Sequence, residues 1–145
     1  MKKMILTLAV ALSTLCSFAR EVEVNSRVLN AFKSEFNSAK EVSWTAGSNY
    51  YKVAFVYNEQ HVSAFYSKDG ELLAMTRYIS SLDLPMSLQT SLKKNYSDHW
   101  ISDLFEVSNN EGTAYYITVE DADSKIVLKS DGTSGWEVFQ KTTKA

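Results

Sequence analysis

Residues 50–79, YYKVAFVYNEQHVSAFYSKDGELLAMTRYI, are the stretch that decides the fold of this chain. Three runs of β-branched and aromatic residues are separated there by the polar segments NEQ and SKDG. This composition favours an antiparallel meander over a helix. Asp69-Gly70 is the stronger turn signal, because glycine accepts the positive φ that a tight hairpin requires. The stretch therefore predicts three consecutive strands of a curved sheet, and alternation along the first strand predicts that its core face carries Tyr51, Val53, Phe55 and Tyr57.

A helix is predicted on the amino-terminal side of this meander. Leu29, Phe32, Phe36 and Ala39 are spaced by three or four residues, so they share one helical stripe. Asn25 or Ser26 can cap its start. We expect this helix to lie across one face of the sheet, with both phenylalanines directed inward, and a short strand to follow at Val42 and Trp44.

The second half of the chain repeats this order of elements. Leu84-Pro85 predicts the start of a second helix, with proline at its first position and an apolar stripe at Leu88, Leu92 and Tyr96. Further strands are predicted at residues 101–108, 113–120, 125–129 and 135–140, and residues 141–145 are expected to fray. Tyr50-Tyr51 and Tyr115-Tyr116 occupy similar places in the two halves.

These patterns predict an α+β fold made of two tandem helix-plus-antiparallel-sheet repeats, at about residues 26–79 and 84–140. Neither half has enough surface to bury on its own, so a single domain at residues 20–145 is expected. The helices are predicted to pack on one sheet face.

The first nineteen residues are predicted to be a signal peptide. Lys2 and Lys3 precede an apolar segment that is too short for a permanent anchor, and Ser17-Phe18-Ala19 predicts cleavage after Ala19. The chain is therefore expected to be periplasmic or secreted. A lipid anchor at Cys16 is the disfavoured alternative, because Leu15 is larger than the residue that normally precedes an acylated cysteine.

The net charge of the mature chain disfavours one class of binding partner, nucleic acid. Removing Lys2 and Lys3 from the 15 Lys and Arg leaves 13 against 17 Asp and Glu, a net charge of −4. An acidic protein repels polyanions, so nucleic acid is an unfavourable partner. The sequence after the leader contains no apolar run of spanning length.

The two histidines, His61 and His99, are the candidates for catalysis. Asp98 and Asp103 are near His99 in sequence, but no nucleophile signature accompanies them. Both histidines are predicted to lie at the surface. The mature chain lacks cysteine, which excludes thiol catalysis and thiolate metal sites.

A calcium-binding loop is suggested by composition alone at Glu120, Asp121 and Asp123. Their spacing lacks the central glycine and closing glutamate of a helix-flanked calcium loop, so a solvated hairpin turn is predicted. No cofactor and no metal site is predicted.

Aromatic residues are the remaining candidates for function. Strand alternation predicts that Tyr50, Phe65, Tyr116 and Trp136 lie on the sheet face away from the helices and form a protein-binding platform. The alternative is that these rings pack within the protein.

Residues throughout the mature chain carry a resemblance to a family. They are Phe32, Phe36, Ala39, Val42, Trp44, Tyr50, Tyr51, Val53, Phe55, Ala64, Tyr66, Asp69, Gly70, Leu72, Leu84, Pro85, Tyr96, Tyr115 and Tyr116. The pattern resembles PepSY-like, β-lactamase-inhibitor-like periplasmic proteins of Bacteroidetes. It implies the tandem repeats of β-lactamase inhibitory protein, whose concave sheet surface grips an enzyme. No inhibitory loop motif is present to carry over.

The sequence thus predicts an exported non-enzymatic module that binds a protein or peptide through its sheet face, as an inhibitor or a chaperone-like factor. The alternative function is carriage of a small apolar ligand between helix and sheet, and an enzyme is the third possibility.

Overall fold

The computed structural model describes residues 22–145. The predicted leader, its cleavage site and Cys16 lie outside these residues. The described chain forms an α+β fold with an eight-stranded antiparallel sheet, in which the strands follow one another in sequence order. It divides into two compact units, one ending at Met75 and the other beginning at Thr76.

The first unit contains one helix and the first strands. The elements are α1 (Ser26–Glu35), β1 (Lys40–Ala46), β2 (Tyr50–Tyr57), β3 (Gln60–Ser67) and β4 (Leu72–Tyr78), whose last residues belong to the second unit. As predicted, Asn25 caps the helix, because its Oδ1 accepts a hydrogen bond from the backbone N–H of Val28 at 3.1 Å. Its Nδ2 also donates to the carbonyl of Lys68 at 2.8 Å, which joins the β3–β4 turn to the helix start.

Alternate residues of β2 and β3 form the core of this unit with the helix. Val28 and Phe32 of α1 pack against a buried set of sheet residues: Tyr51, Val53, Phe55, Ala64 and Tyr66. The predicted core face of β2 is therefore confirmed, with Tyr51, Val53 and Phe55 buried and Tyr57 partly buried against them. The Phe32 ring lies 5.3 Å from Trp44 and 5.1 Å from Phe55, both edge to face.

The second unit contains the other helix and four complete strands. The elements are a 3₁₀ turn (Ser81–Asp83), α2 (Met86–Asn95), β5 (Trp100–Asn109), β6 (Gly112–Glu120), β7 (Ser124–Ser130) and β8 (Glu137–Thr143). Pro85 occupies the N-cap and not the first helical position that was predicted. Leu84, Leu88 and Leu92 pack on the inward side chains of the sheet, which are Leu104, Ile117, Val119, Ile126 and Leu128.

The carboxyl terminus is held in place, which contradicts the prediction that residues 141–145 fray. β8 continues to Thr143, and the Lys144 ammonium lies 3.1 Å from the Glu120 carboxylate and 4.6 Å from the Trp100 ring centroid. The Lys144 backbone N–H also donates to the carbonyl of Asp123 at 2.8 Å. The ion pair and the cation–π contact oppose fraying because they tie Lys144 to residues of β6 and β5.

Candidate interaction surface

Tyr50 and Phe65 lie together on the sheet face of the first unit that is opposite α1. Their neighbours Tyr51, Ala64 and Tyr66 pack beneath the helix, so alternation turns Tyr50 and Phe65 to the other face. The two ring centroids are 5.8 Å apart. Phe65 is 1% exposed and Tyr50 is half-buried. A partner in this unit would therefore reach Tyr50 before Phe65.

Tyr116 lies on the corresponding face of the second unit, opposite α2. Its neighbours Tyr115 and Ile117 belong to the helix side. The Tyr116 ring stacks on Phe105 at 5.3 Å with 10° between the planes, and it meets Phe139 edge to face at 5.7 Å. These neighbours leave Tyr116 only 2% exposed, and burial raises the pKa of its phenol to about 12.

Tyr78 extends this group of rings into solvent. Its ring lies 6.5 Å from that of Phe105 in an edge-to-face arrangement, and the residue is 73% exposed. Four aromatic residues thus form a row that begins in solvent, with one residue from each of β4, β5, β6 and β8. We call it the aromatic row, and its members are Tyr78, Phe105, Tyr116 and Phe139. Sequence reasoning did not single out Tyr78, Phe105 or Phe139. Alternation within the predicted strands was the signal that could have grouped Phe105 with Tyr116.

An ion pair on the other side of the sheet fixes β4 beside β5 at this point. Arg77 donates from Nε and Nη2 to the two carboxylate oxygens of Glu106, at 3.0 and 3.2 Å. The hydrogen bond to Glu106 also raises the pKa of the Arg77 guanidinium. Such bidentate arginine–carboxylate pairs fix the relative orientation of the two side chains. Because Tyr78 follows Arg77 directly, this pair positions the exposed end of the aromatic row.

Two charged residues accompany the row on its own face. The Lys129 ammonium lies 5.7 Å from the centroid of the Tyr116 ring. Asp103 pairs with Thr118 one step along the strands from Phe105, and burial raises the pKa of its carboxyl. The row is thus an apolar surface with a cation and a partly buried carboxyl beside it.

Trp136 does not lie on the face away from the helices, so this part of the platform prediction is wrong. It packs against the core beneath α2, and its Nε1 donates to the carbonyl of Leu88 at 3.1 Å. Trp136 precedes β8 and is not part of a strand, so strand alternation does not govern its direction. The structure brings Tyr50 to Phe65, whereas Tyr116 has rings of its own unit as neighbours. A binding role for the four predicted residues stays a prediction.

His99 forms a structural contact with the turn between β6 and β7. Its Nε2 lies 3.2 Å from Oδ2 of Asp121, and its ring meets that of Tyr96 edge to face. Within residues 22–145, the buried Nδ1 has no hydrogen-bond partner, so no serine hydroxyl is bonded to this nitrogen. His61 is exposed on β3.

Asp121 organises the predicted hairpin turn. Its Oδ1 accepts from the backbone N–H groups of Asp123 and Ser124, at 2.8 and 2.7 Å. These hydrogen bonds lower the pKa of the Asp121 carboxyl, and the bond from Asp123 has the largest effect. Its neighbour Glu120 is paired with Lys144. In the part of the chain that the structure describes, no three His, Cys, Asp or Glu residues gather as metal ligands.

The fold is similar to those of several solved Bacteroides proteins, although no protein-family model and no curated protein matches the sequence. A candidate periplasmic protein of Bacteroides eggerthii has a TM-score of 0.74 and 17% identity, over 84% of this chain and 90% of that one. A BLIP-like protein of Bacteroides fragilis has a TM-score of 0.70 and 16% identity, over 84% and 87% of the two chains. A DUF2874 family protein of Bacteroides uniformis has a TM-score of 0.74 and 15% identity, over 83% and 90%.

At these identities the likeness shows the fold alone. The predicted α+β, β-lactamase-inhibitor-like fold is therefore confirmed, whereas the tandem-repeat layout and the PepSY-like label stay predictions. Between residues 22 and 145, neither helix has the length and apolar character that a bilayer-spanning segment needs.

Proposed function

We propose that this chain is an exported, non-enzymatic module that binds a protein or peptide through the sheet face away from the helices. The observation that carries the proposal is the aromatic row of the second unit, which ends in solvent at Tyr78 with 73% of that residue exposed. Aromatic side chains with a polar tip are enriched at the energetic centres of interfaces, because they bury a large area with few rotamers to fix.

The environment of the row supports this role. Phe105 stacks on the buried Tyr116, so a partner that contacts Tyr78 meets rings that are already fixed in orientation. Fixed side chains lose little conformational entropy on binding, which favours affinity. The half-buried Tyr50, beside Phe65, is the corresponding candidate of the first unit.

Export is part of the proposal. It rests on the leader predicted at residues 1–19, and the likeness to a candidate periplasmic protein supports it. The likeness to a BLIP-like protein supports an inhibitor-like mode of binding. An inhibitor or chaperone-like factor needs a shaped surface and no reactive centre, which agrees with the incomplete His99 constellation.

A duplicated origin for the two units also belongs to this proposal. Both ten-residue helices end in the same way, because the N–H groups of Phe36 and Tyr96 each donate at 2.8 Å to the carbonyl four residues earlier. Trp44 pairs with Val53 in one unit and Leu104 with Ile117 in the other. In this register Tyr51 is equivalent to Tyr115. The two tyrosine pairs had predicted that Tyr51 is equivalent to Tyr116, which is one residue further along.

Capture from a periplasmic extract of a Bacteroides species tests the proposal. The baits are the wild-type chain, Tyr78→Ala/Phe105→Ala and Met86→Ala. Met86 is a matched control because it is 74% exposed, about as much as Tyr78, and lies at the start of α2. We expect a protein that the wild type and Met86→Ala retain and the double variant loses, by at least about tenfold if the pair is a hot spot worth 1.4 kcal/mol or more. Equal recovery on all three baits would refute the proposal.

A further inference from the structure

A groove on the helix side of the second unit is distinct from the aromatic row. It has a volume of about 220 Å³ and lies between the 3₁₀ turn, α2 and the adjoining strands β5 and β6. Apolar side chains form much of its wall, namely Leu82, Leu92, Tyr96, Ile101 and Val119. Leu92 and Val119 belong to the core, so the groove reaches from the surface to core residues.

The mouth of the groove exposes apolar surface. Leu82 is 80% exposed and Ile101 is 45% exposed, although both are large aliphatic residues. Exposed aliphatic side chains that adjoin a concave surface mark a candidate ligand site more specifically than isolated ones do.

Hydrogen bonds hold the walls of the groove. Nε2 of Gln89 donates to the carbonyls of Leu82 and Leu84, at 3.3 and 2.8 Å, which ties the 3₁₀ turn to α2. Opposite them, the pairing of His99 with Asp121 at 3.2 Å fixes the imidazole ring. The groove is thus formed before any ligand enters, so little ordering free energy is lost on binding.

The side chains that line the groove include a positive charge. Lys93 contributes the cationic side chain, and among residues 22–145 no Asp or Glu lines the groove. A ligand with an apolar body and an anionic group therefore matches both the wall and its charge.

The volume limits the size of that ligand. Cavities for drug-sized ligands measure roughly 300–1,000 Å³, whereas a cavity of about 150 Å³ accepts benzene. A groove of about 220 Å³ lies between these limits. We propose that it binds small organic carboxylates with one ring or a short aliphatic chain, with the carboxylate beside Lys93. This inference does not depend on the aromatic row.

A titration followed by amide NMR of the full mature chain tests the site with phenylacetate as the probe. We expect saturable shifts at the amides of Ser97, His99 and Ile101, with a Kd on the order of millimolar, as suits so small a ligand. Phenylacetamide, which lacks the charge, and acetate, which lacks the ring, are each expected to bind at least about threefold more weakly, because each loses one of the two interactions.

Two lysine variants provide the matched comparison. Lys93→Gln is expected to weaken phenylacetate binding by about three- to tenfold, and Lys94→Gln to leave it unchanged, because Lys93 lines the groove and its neighbour does not. Ile101→Trp, which adds bulk at the mouth, is expected to abolish the shifts. Absence of saturable shifts, equal weakening by both lysine variants, or unchanged binding to Ile101→Trp would overturn the inference.

Discussion

Gly70 illustrates how a single residue holds a turn of this fold. Its φ is +91°, and a Cβ at this position would lie 3.0 Å from the carbonyl oxygen of Arg27. We expect Gly70→Ala to lower the free energy of unfolding by about 1–3 kcal/mol, through left-handed backbone strain and crowding against α1. Urea denaturation measures this change. Gly135→Ala is the control, since a Cβ there meets nothing within 4 Å; an equal loss in both variants would contradict the explanation.

Asp131 makes one turn of the second unit sensitive to acid. Its Oδ1 accepts from the backbone N–H groups of Ser134 and Thr133, each at 2.9 Å, and these bonds lower the pKa of the carboxyl from 3.8 to about 2. A lowered folded-state pKa adds stability above the unfolded value, and this stability is lost as the pH falls through the folded value.

The corresponding prediction compares the wild type with Asp131→Asn. We expect the wild type to be the more stable of the two above about pH 4, and this advantage to disappear as the pH falls from 4 to 2. Denaturant unfolding at several pH values gives the difference. An advantage that is constant across this range would show that the charge of Asp131 has no part in it.

Strand alternation predicted residue directions well where a strand is regular and failed elsewhere. Tyr51, Val53 and Phe55 were assigned to the core from alternation, and all three are buried there. Trp136 was assigned by the same reasoning, but it lies outside β8, where no period of two applies. Tyr78 was missed because its exposure depends on how the neighbouring strand covers it, which composition does not reveal.

At the scale of elements, α1 is held to the sheet by its two buried residues, Val28 and Phe32. Phe32 and Phe36 each contact three aromatic rings, but Phe32 is 5% exposed, whereas Phe36 at the C-cap is only half-buried. Phe32→Ala should cost about 3–5 kcal/mol, because it removes buried area and leaves a cavity. We expect Phe36→Ala to cost less. Chemical denaturation followed by tryptophan fluorescence compares them, and a larger loss in Phe36→Ala would contradict this packing account.

Helices and strands could be predicted because their apolar periods are long and regular, but their irregularities could not. The register shifts between Lys40 and Ser43 in β1 and between Ile101 and Asp103 in β5. A bulge adds one residue to a strand without a distinctive composition. The anchored carboxyl terminus was missed for a similar reason, since Lys144 finds Glu120 and Trp100 only after the strands pair.

For the whole molecule, export is predicted from the leader sequence at residues 1–19. Intact-mass measurement of the chain purified from whole bacterial cells that express it is expected to give a mature protein beginning at Arg20. A chain that begins at an acylated Cys16 would instead establish the lipid-anchored alternative and contradict cleavage after Ala19.

The fold was predictable from the sequence to a greater degree than the interaction surface. Turn glycines and alternating strands identify a helix-and-sheet module, but the identity of a partner depends on side chains that approach one another only in the folded state. Phe105 and Tyr116, for example, are eleven positions apart and stack because β5 and β6 pair at that register.

Site-specific photo-crosslinking tests protein binding by the aromatic row most directly. A photoreactive phenylalanine is placed at position 78 or, as the control, at position 86 in chains exported by Bacteroides cells. We predict a discrete crosslinked product of higher mass from position 78 that position 86 does not give. No product from position 78, or the same product from both positions, would contradict the proposed surface.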